Sequence, residues 1–315
     1  ARPEGSLSVE ETPYAFRIRG DAFEYEFGRK EGSFISLVKD GKPCITAPVQ
    51  WNVFRAPTDN DRYIVKEWKE AGYDRSVVKV YRVQASHRQN TVSITCDFSI
   101  AALYLQPFLR LHAVWTVNAA GDIRLSLDGK RDPIFPFLPR FGLRFSLPLP
   151  SDSPSLDSLA GKEYGTAGSP VNGGSPETEA DGSGMEVTYF GYGPHESYCD
   201  KHRASYMDVF RTTVGEMHED YIRPQENGSR FHCHYAAVGT FRAQGRAPFS
   251  FNVSEYTIEE LASKAHNYEL EKADCLTVCT DYKMSGVGSN SCGPQLLPKY
   301  RLYEDEIRWE MLFQF

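Results

Sequence analysis

Short runs in which apolar and polar residues alternate recur along almost the whole chain, and they constrain its fold more than any other feature. Phe23 to Phe27 alternates aromatic with acidic residues. Ser33 to Val38 runs into Lys39-Asp40-Gly41-Lys42, whose Asp-Gly pair favours a tight hairpin. Val77 to Val83, Thr91 to Ile100, Phe108 to Val117 and Ile123 to Leu127 continue the style. Further runs lie at Phe141 to Leu147, Met185 to Tyr189, Phe231 to Val238, Phe249 to Val253, Cys275 to Tyr282 and Tyr300 to Phe315. A period of two, carried by Tyr, Phe, Val and Thr, predicts strands with one face buried. Helical signals are few. Asn60 or Asp61 is placed to cap a helix from Arg62 to Ala71, with Ile64, Trp68 and Ala71 on one face and Gly72 as its stop. Thr257-Ile258-Glu259-Glu260 has the form of a capping box. Two short helices among so many strands predict an all-β fold, a large sandwich rather than a series of βαβ units.

With 41% hydrophobic and 13% aromatic residues in 315, the chain can build a substantial core and is not intrinsically disordered. No run approaches the roughly 20 apolar residues of a spanning helix, so no membrane partner is expected. The 35 Lys+Arg against 42 Asp+Glu leave a charge of −7, and no basic block stands out, so no nucleic-acid partner is expected. Ser151 to Gly184 is rich in Ser, Gly, Pro, Asp and Glu and reads as a loop insertion at about 151–184. The strand pattern is alike on both sides of it. We therefore expect one sandwich domain over 23–315, with 1–22 as a segment leading in from a preceding linker. The seven cysteines are scattered and odd in number, which predicts buried free thiols, Cys275 and Cys279 included. No secretory signal opens the chain at Ala1, and the compartment is left open.

Most chemical motifs fail on inspection. Gly286-Val287-Gly288 lacks the rest of a phosphate-binding fingerprint, and no Gly-x-Ser-x-Gly elbow occurs. Asp59-Asn60-Asp61 begins like a calcium loop, but Tyr63 sits where a third oxygen ligand belongs and no glycine makes the bend. Helix capping, with Arg55 as ionic neighbour, is the better reading. His232 and His234 should share one face of a strand, but a metal there needs a third ligand from elsewhere, and hydrogen-bonded or surface histidines are preferred. Glycoside hydrolysis needs two carboxylates across one sugar bond. Glu196, Glu226, Asp59 and Asp61 are candidates by residue type alone.

Longer strings carry more information. Arg55-Ala56-Pro57-Thr58-Asp59-Asn60-Asp61 is followed by Trp68-Lys69-Glu70-Ala71-Gly72, and then by Leu138-Pro139-Arg140-Phe141-Gly142-Leu143. Next come Phe190-Gly191-Tyr192-Gly193-Pro194-His195-Glu196-Ser197-Tyr198 with Asp200 and Arg203, and Tyr221-Ile222-Arg223-Pro224-Gln225-Glu226-Asn227-Gly228. Tyr256-Thr257, Glu259-Glu260-Leu261 and Gly286-Val287-Gly288 complete the order. Together they resemble the C-terminal (small-chain) domain of β-galactosidases of glycoside hydrolase family 2, from Phe23 to about Phe315.

The resemblance implies a galactose-mutarotase-like supersandwich. It also implies that the proton donor, the nucleophile and the active-site magnesium ligands lie on a (β/α)₈ barrel outside this region. No catalytic residue, cofactor or metal ligand is then expected here, and the region alone should be inactive. Expected partners are the barrel and other domains of the parent chain, a β-galactoside substrate and further copies in a homo-oligomer. In the family, a loop after the Gly-x-Gly turn carries a tryptophan that stacks on the sugar. The matching run places Gly288, Asn290, Ser291 and Cys292 as a substrate-contact loop, with Cys292 at the tryptophan position. Arg55, Asp59, Asp61, Arg140, His195, Glu196, Arg223 and Glu226 are expected to be scaffolding, the Arg223 fork gripping Glu226 or Glu196. An independent carbohydrate-binding module and an aldose mutarotase are the competing readings. The histidine strings associated with mutarotases are absent.

Overall fold

The computed structural model describes residues 6–150 and 182–315, so the insertion reading for 151–181 lies outside the described residues. Two sheets, antiparallel throughout, pack against each other. The smaller is a meander of β1 (Ser8–Glu11), β2 (Ala15–Arg19), β3 (Phe23–Gly28), β4 (Ser33–Lys39) and β5 (Lys42–Pro43). The larger begins at one edge with β7 (Ser76–Arg88), β8 (Thr91–Ala102), β9 (Leu109–Asn118) and β10 (Ile123–Arg131). It continues through β17 (Glu306–Gln314), β15 (Phe241–Ser254), β14 (Arg230–Val238), β12 (Glu186–Gly193) and β13 (Tyr206–Thr213). A branch leaves β15 through β16 (Cys275–Met284) and β11 (Arg140–Pro148) to β6 (Ala47–Asn52). The long β15 makes this possible, because residues 242–245 pair with β17 and residues 250–254 pair with β16. No helix among the described residues is long and apolar enough to cross a membrane.

The core lies between the main run of the large sheet, its β16–β11–β6 branch and the small sheet. Trp51 packs on Phe98 at 4.9 Å and on Trp115 at 5.9 Å, and Phe34 of the small sheet meets Trp115 edge-on at 5.5 Å. Aromatic pairs in offset and edge-to-face geometry add to the area they remove from water.

Four expectations need correction. Residues 8–19, read as a lead-in, form β1 and β2, and Phe16 and Ile18 are fully buried. The run Tyr300 to Phe315 is not one strand: Pro298–Tyr300 is a 3₁₀ turn and β17 starts at Glu306. The helix read as Arg62 to Ala71 is α1 (Ile64–Glu70), and neither Asn60 nor Asp61 caps it. The Asp61 carboxylate instead points back and accepts the Thr58 N–H at 2.9 Å, closing a 3₁₀ turn over Asp59–Asp61. Gly72 does end the helix, at φ +75°, where an added Cβ would lie 2.2 Å from that of Ala102. A short helix α2 (Val214–Met217) escaped sequence reading. In α3 (Ile258–Ser263) Thr257 Oγ1 accepts from the Glu260 N–H, but the Glu260 carboxylate serves the Glu271 N–H instead of returning.

Candidate functional site

The quoted strings converge on one buried network beneath the loop that follows β16. Arg55 is fully buried just after β6. Its guanidinium donates to both oxygens of Asp61, at 3.1 and 2.8 Å, and to the carbonyls of Ser285 and Gly286, at 2.6 and 3.0 Å. One planar fork thereby ties the 55–61 turn to the root of the loop. Arg140, at the start of β11, grips Asp281 of β16 with two bonds, at 3.1 and 2.5 Å, and donates to Glu226 at 3.0 Å. Burial works against the Arg140 charge, but Asp281 and Glu226 outweigh it and hold the guanidinium well above the usual arginine range.

The two buried glutamates of this network differ. Glu196 accepts from Lys201 Nζ, from the Tyr221 hydroxyl, from the Gly228 N–H at 2.9 Å and from the Tyr198 hydroxyl at 3.3 Å. Burial opposes its ionisation, yet Lys201, Tyr221 and Gly228 prevail and lower its pKa. Glu226 has Arg140 on Oε2 alone, and its Oε1 is buried without a partner. Burial raises its pKa, with Arg140 and then Arg55 only partly opposing.

The loop itself is held by side chains from both flanks. Asp200 accepts the N–H groups of Val287 and Gly288 at 3.0 and 2.7 Å. Asn60 donates to the Gly288 carbonyl at 2.8 Å and accepts the Ser291 N–H at 3.0 Å. A Cβ on Gly286 would stand 2.5 Å from the Asp200 carboxyl carbon, so only glycine fits there. Gly288, at φ +66°, makes the turn. Cys292 is exposed, its N–H donating to the Ser289 carbonyl at 3.3 Å.

The remaining expected residues fall outside the network. Arg223 is exposed and forms no ion pair among the described residues, because Arg140 and Lys201 already occupy the carboxylates assigned to it. Its own segment turns outward, with Ile222 80% exposed. Asp59 and His195 are exposed too, and Asp59 contributes only a backbone N–H, to Gln225 Oε1 at 2.9 Å. His232 and His234 have ring centroids 5.5 Å apart, but His232 sits at φ +58° beside a bulge in the β14–β15 pairing. No group of three or more metal-ligating side chains occurs among the described residues. All seven cysteines are free, and burial pushes the Cys279 thiol up to about 12.

Sequence reading missed Asp281, Ser285, Lys201 and the clamping role of Asn60. One signal was available for Asp281: it is an acid at the end of the strand run Cys275 to Asp281, whose residues are all buried. A charge in such a strand demands a buried counter-ion.

Comparison with known proteins places this geometry. The family described as Beta galactosidase small chain matches residues 19–154 and 177–314. The β-galactosidase of Actinobacillus pleuropneumoniae is 36% identical over 312 residues, which is 98% of this chain and 28% of that protein. The β-galactosidase of Staphylococcus xylosus is 30% identical over 317 residues, 99% of this chain and 29% of its own length. The chain thus spans under a third of these relatives. Among solved structures, a galactose 1-epimerase from Lactobacillus acidophilus aligns over 99% of this chain and 98% of its own, at 9% identity and a TM-score of 0.47. That likeness carries no statement about activity.

Proposed function

Because the chain belongs to the β-galactosidase small-chain family, we propose that it serves within a β-galactosidase as a brace for the active-site mouth rather than as the group that cleaves the sugar. The carrying observation is the clamped loop. Arg55, Asp200 and Asn60 fix its backbone from Ser285 to Ser291 through bonds to six main-chain groups. Such pre-organisation suits a surface that must meet substrate in one geometry. Gly288, Asn290, Ser291 and Cys292 are the contact positions in this reading, toward the leaving-group side of a β-galactoside. A thiol in place of a flat ring offers less surface to a pyranose, so the grip on the aglycone should be weaker. The proton donor and nucleophile come from the remainder of the parent enzyme, because Glu196 and Glu226 are committed inside the brace.

Two assays test this. The purified chain should not turn over nitrophenyl-β-galactoside, and turnover would overturn the reading. In the parent enzyme, Cys292→Trp should lower KM for lactose, whereas an unchanged KM would remove the loop from the site.

A further inference from the structure

A cavity of about 710 Å³ runs beside β6, but its occupant is not indicated by anything around it. A smaller one is better defined. It encloses about 500 Å³ between the clamped loop, the start of α1 and the segments on either side of the Leu138–Leu302 bridge. Its volume lies within the ordinary range for small-ligand sites, roughly 300–1,000 Å³.

The chemistry of its walls selects a class of ligand. Phe137 supplies an apolar floor, covered on one side by the Arg301 guanidinium at 5.3 Å. Tyr63 and Tyr303 line the cavity and are 54% and 43% exposed. Of the two cations at the site, only Arg131 has a carboxylate partner among the described residues. Arg131 donates to the carbonyls of Asp132, Phe135 and Tyr303 and to Asp305, and Arg301 donates to the Leu296 carbonyl at 2.8 Å. Arg301 has no carboxylate partner among the described residues, but the unpaired Glu67 carboxylate lines the same cavity and balances it, so the walls carry no net charge that would favour an anion. A metal ion is no better served: Asp61 is consumed by Arg55, which leaves Glu67 as a single free carboxylate. Besides Arg131 Nε and Arg301 Nη1, the uncommitted groups among the described residues are the Glu67 carboxylate, the Asn290 amide, the Nε2 amide of Gln295 and the two tyrosine hydroxyls. They comprise an acceptor, amides able to donate and accept, and hydroxyls, set around aromatic faces. That combination fits a neutral polyol with a C–H-lined face.

We propose that this cavity is a saccharide subsite that takes one or two neutral pyranose rings, with Tyr63 and Tyr303 as stacking surfaces and Glu67 and Asn290 as hydrogen-bonding partners of sugar hydroxyls. Gly288 and Asn290 belong both to the clamped loop and to the cavity wall. Following the function proposed above, the subsite would receive the distal part of an oligosaccharide whose galactoside end lies across the loop.

The test is calorimetric titration of the purified chain with lactose and with a galactosyl-lactose trisaccharide. Saturable binding is expected, tighter for the trisaccharide. Tyr303→Ala and Asn290→Ala should each weaken it about tenfold, as loss of one ring contact or one polar anchor would. Tyr14→Ala, on an exposed tyrosine of the small sheet, should leave it unchanged. No saturable binding, or binding equal in all variants, overturns the subsite. The titration needs no turnover, so a parent enzyme whose lactose KM responds to Cys292→Trp while the chain binds no sugar would keep the proposed function and lose only this subsite.

Discussion

Two charged regions of this sandwich use the same residue types to opposite effect. Beneath the loop, Arg55, Asp61, Arg140, Asp281 and Glu226 are all buried, and each arginine grips a carboxylate with two bonds. On the outer face of the large sheet, charges sit directly opposite one another across five strands. Arg82 faces Asp97, Asp97 faces His112, His112 faces Asp128 and Asp128 faces Arg308. That row alternates basic with acidic residues and is exposed: Asp97 and His112 are 41% and 48% accessible, and the Arg308–Asp128 pair is 3.9 Å apart. Water and salt screen the outer row. The inner network has no such screening, and each member depends on its counter-ion. Pairing by sequence and sign is therefore equal in the two regions, while burial decides which of them fixes the structure.

The sharpest way to break this contrast is Arg140→Met. It leaves Asp281 and Glu226 buried together without their cation and should cost about 3–5 kcal/mol in urea unfolding. Adding Asp281→Asn and Glu226→Gln to that variant should recover more than half of the loss, because the penalty is an uncompensated charge and not a missing contact. A triple variant as unstable as the single one would refute that cause.

The two regions also differed in how far they could be read in advance. β8 was legible because its residues alternate between buried and half-buried positions, and the expected run Thr91 to Ile100 agrees with Thr91–Ala102 to within two residues. β1 and β2 were not, because Arg17 and Arg19 pair across strands with Glu10, Glu24 and Glu26 and give the segment a solvated appearance. At the site, Arg55, Asp61, Arg140 and Glu226 could be singled out from their strings. Their connections could not: Arg140 meets Asp281 only once β11 pairs with β16, 141 positions along the chain. Arg223 was misassigned for the same reason, since sequence proximity to Glu226 says nothing about which cation the fold brings to it.

Next in size is Glu196. Glu196→Gln keeps the shape but loses charge-assisted bonds and should cost about 2 kcal/mol at neutral pH. Its pH dependence has a definite sign. The folded pKa is lowered, so the stabilisation is present above the unfolded carboxylate value near ~4.3 and is lost as pH falls through the folded pKa. Glu226 runs the other way: its folded pKa is raised, so its contribution is full below the unfolded value and is lost as pH rises through the raised one. Urea midpoints across a pH series should show Glu196→Gln flattening the acid side and Glu226→Gln flattening the rise side. Identical profiles for the two variants would mean that one environment, not two, governs both groups.

Asp200→Asn tests whether the inner network reaches the loop. An amide oxygen can still accept one of the two N–H groups, so global stability should fall by only about 1 kcal/mol. The loop should loosen more than the fold. Amide hydrogen exchange at Val287 and Gly288 should speed up by more than the change in global stability explains. Exchange that tracks global unfolding at both amides would mean that Asn60 and Arg55 suffice to hold the loop.

The smallest effect belongs to the outer row. Asp97→Asn removes the carboxylate that lies 2.6 Å from His112 Nδ1, and Arg308→Gln removes the cation facing Asp128. Each should move stability by no more than about 0.5 kcal/mol, and by less still in high salt. The residual effect should vanish between low and molar salt for these two variants, while that of Arg140→Met persists, because counter-ions reach an exposed pair and cannot reach a guanidinium sealed beneath β11 and β16. An outer-row variant that proves as costly as the inner one would show that the face carrying it is covered in solution.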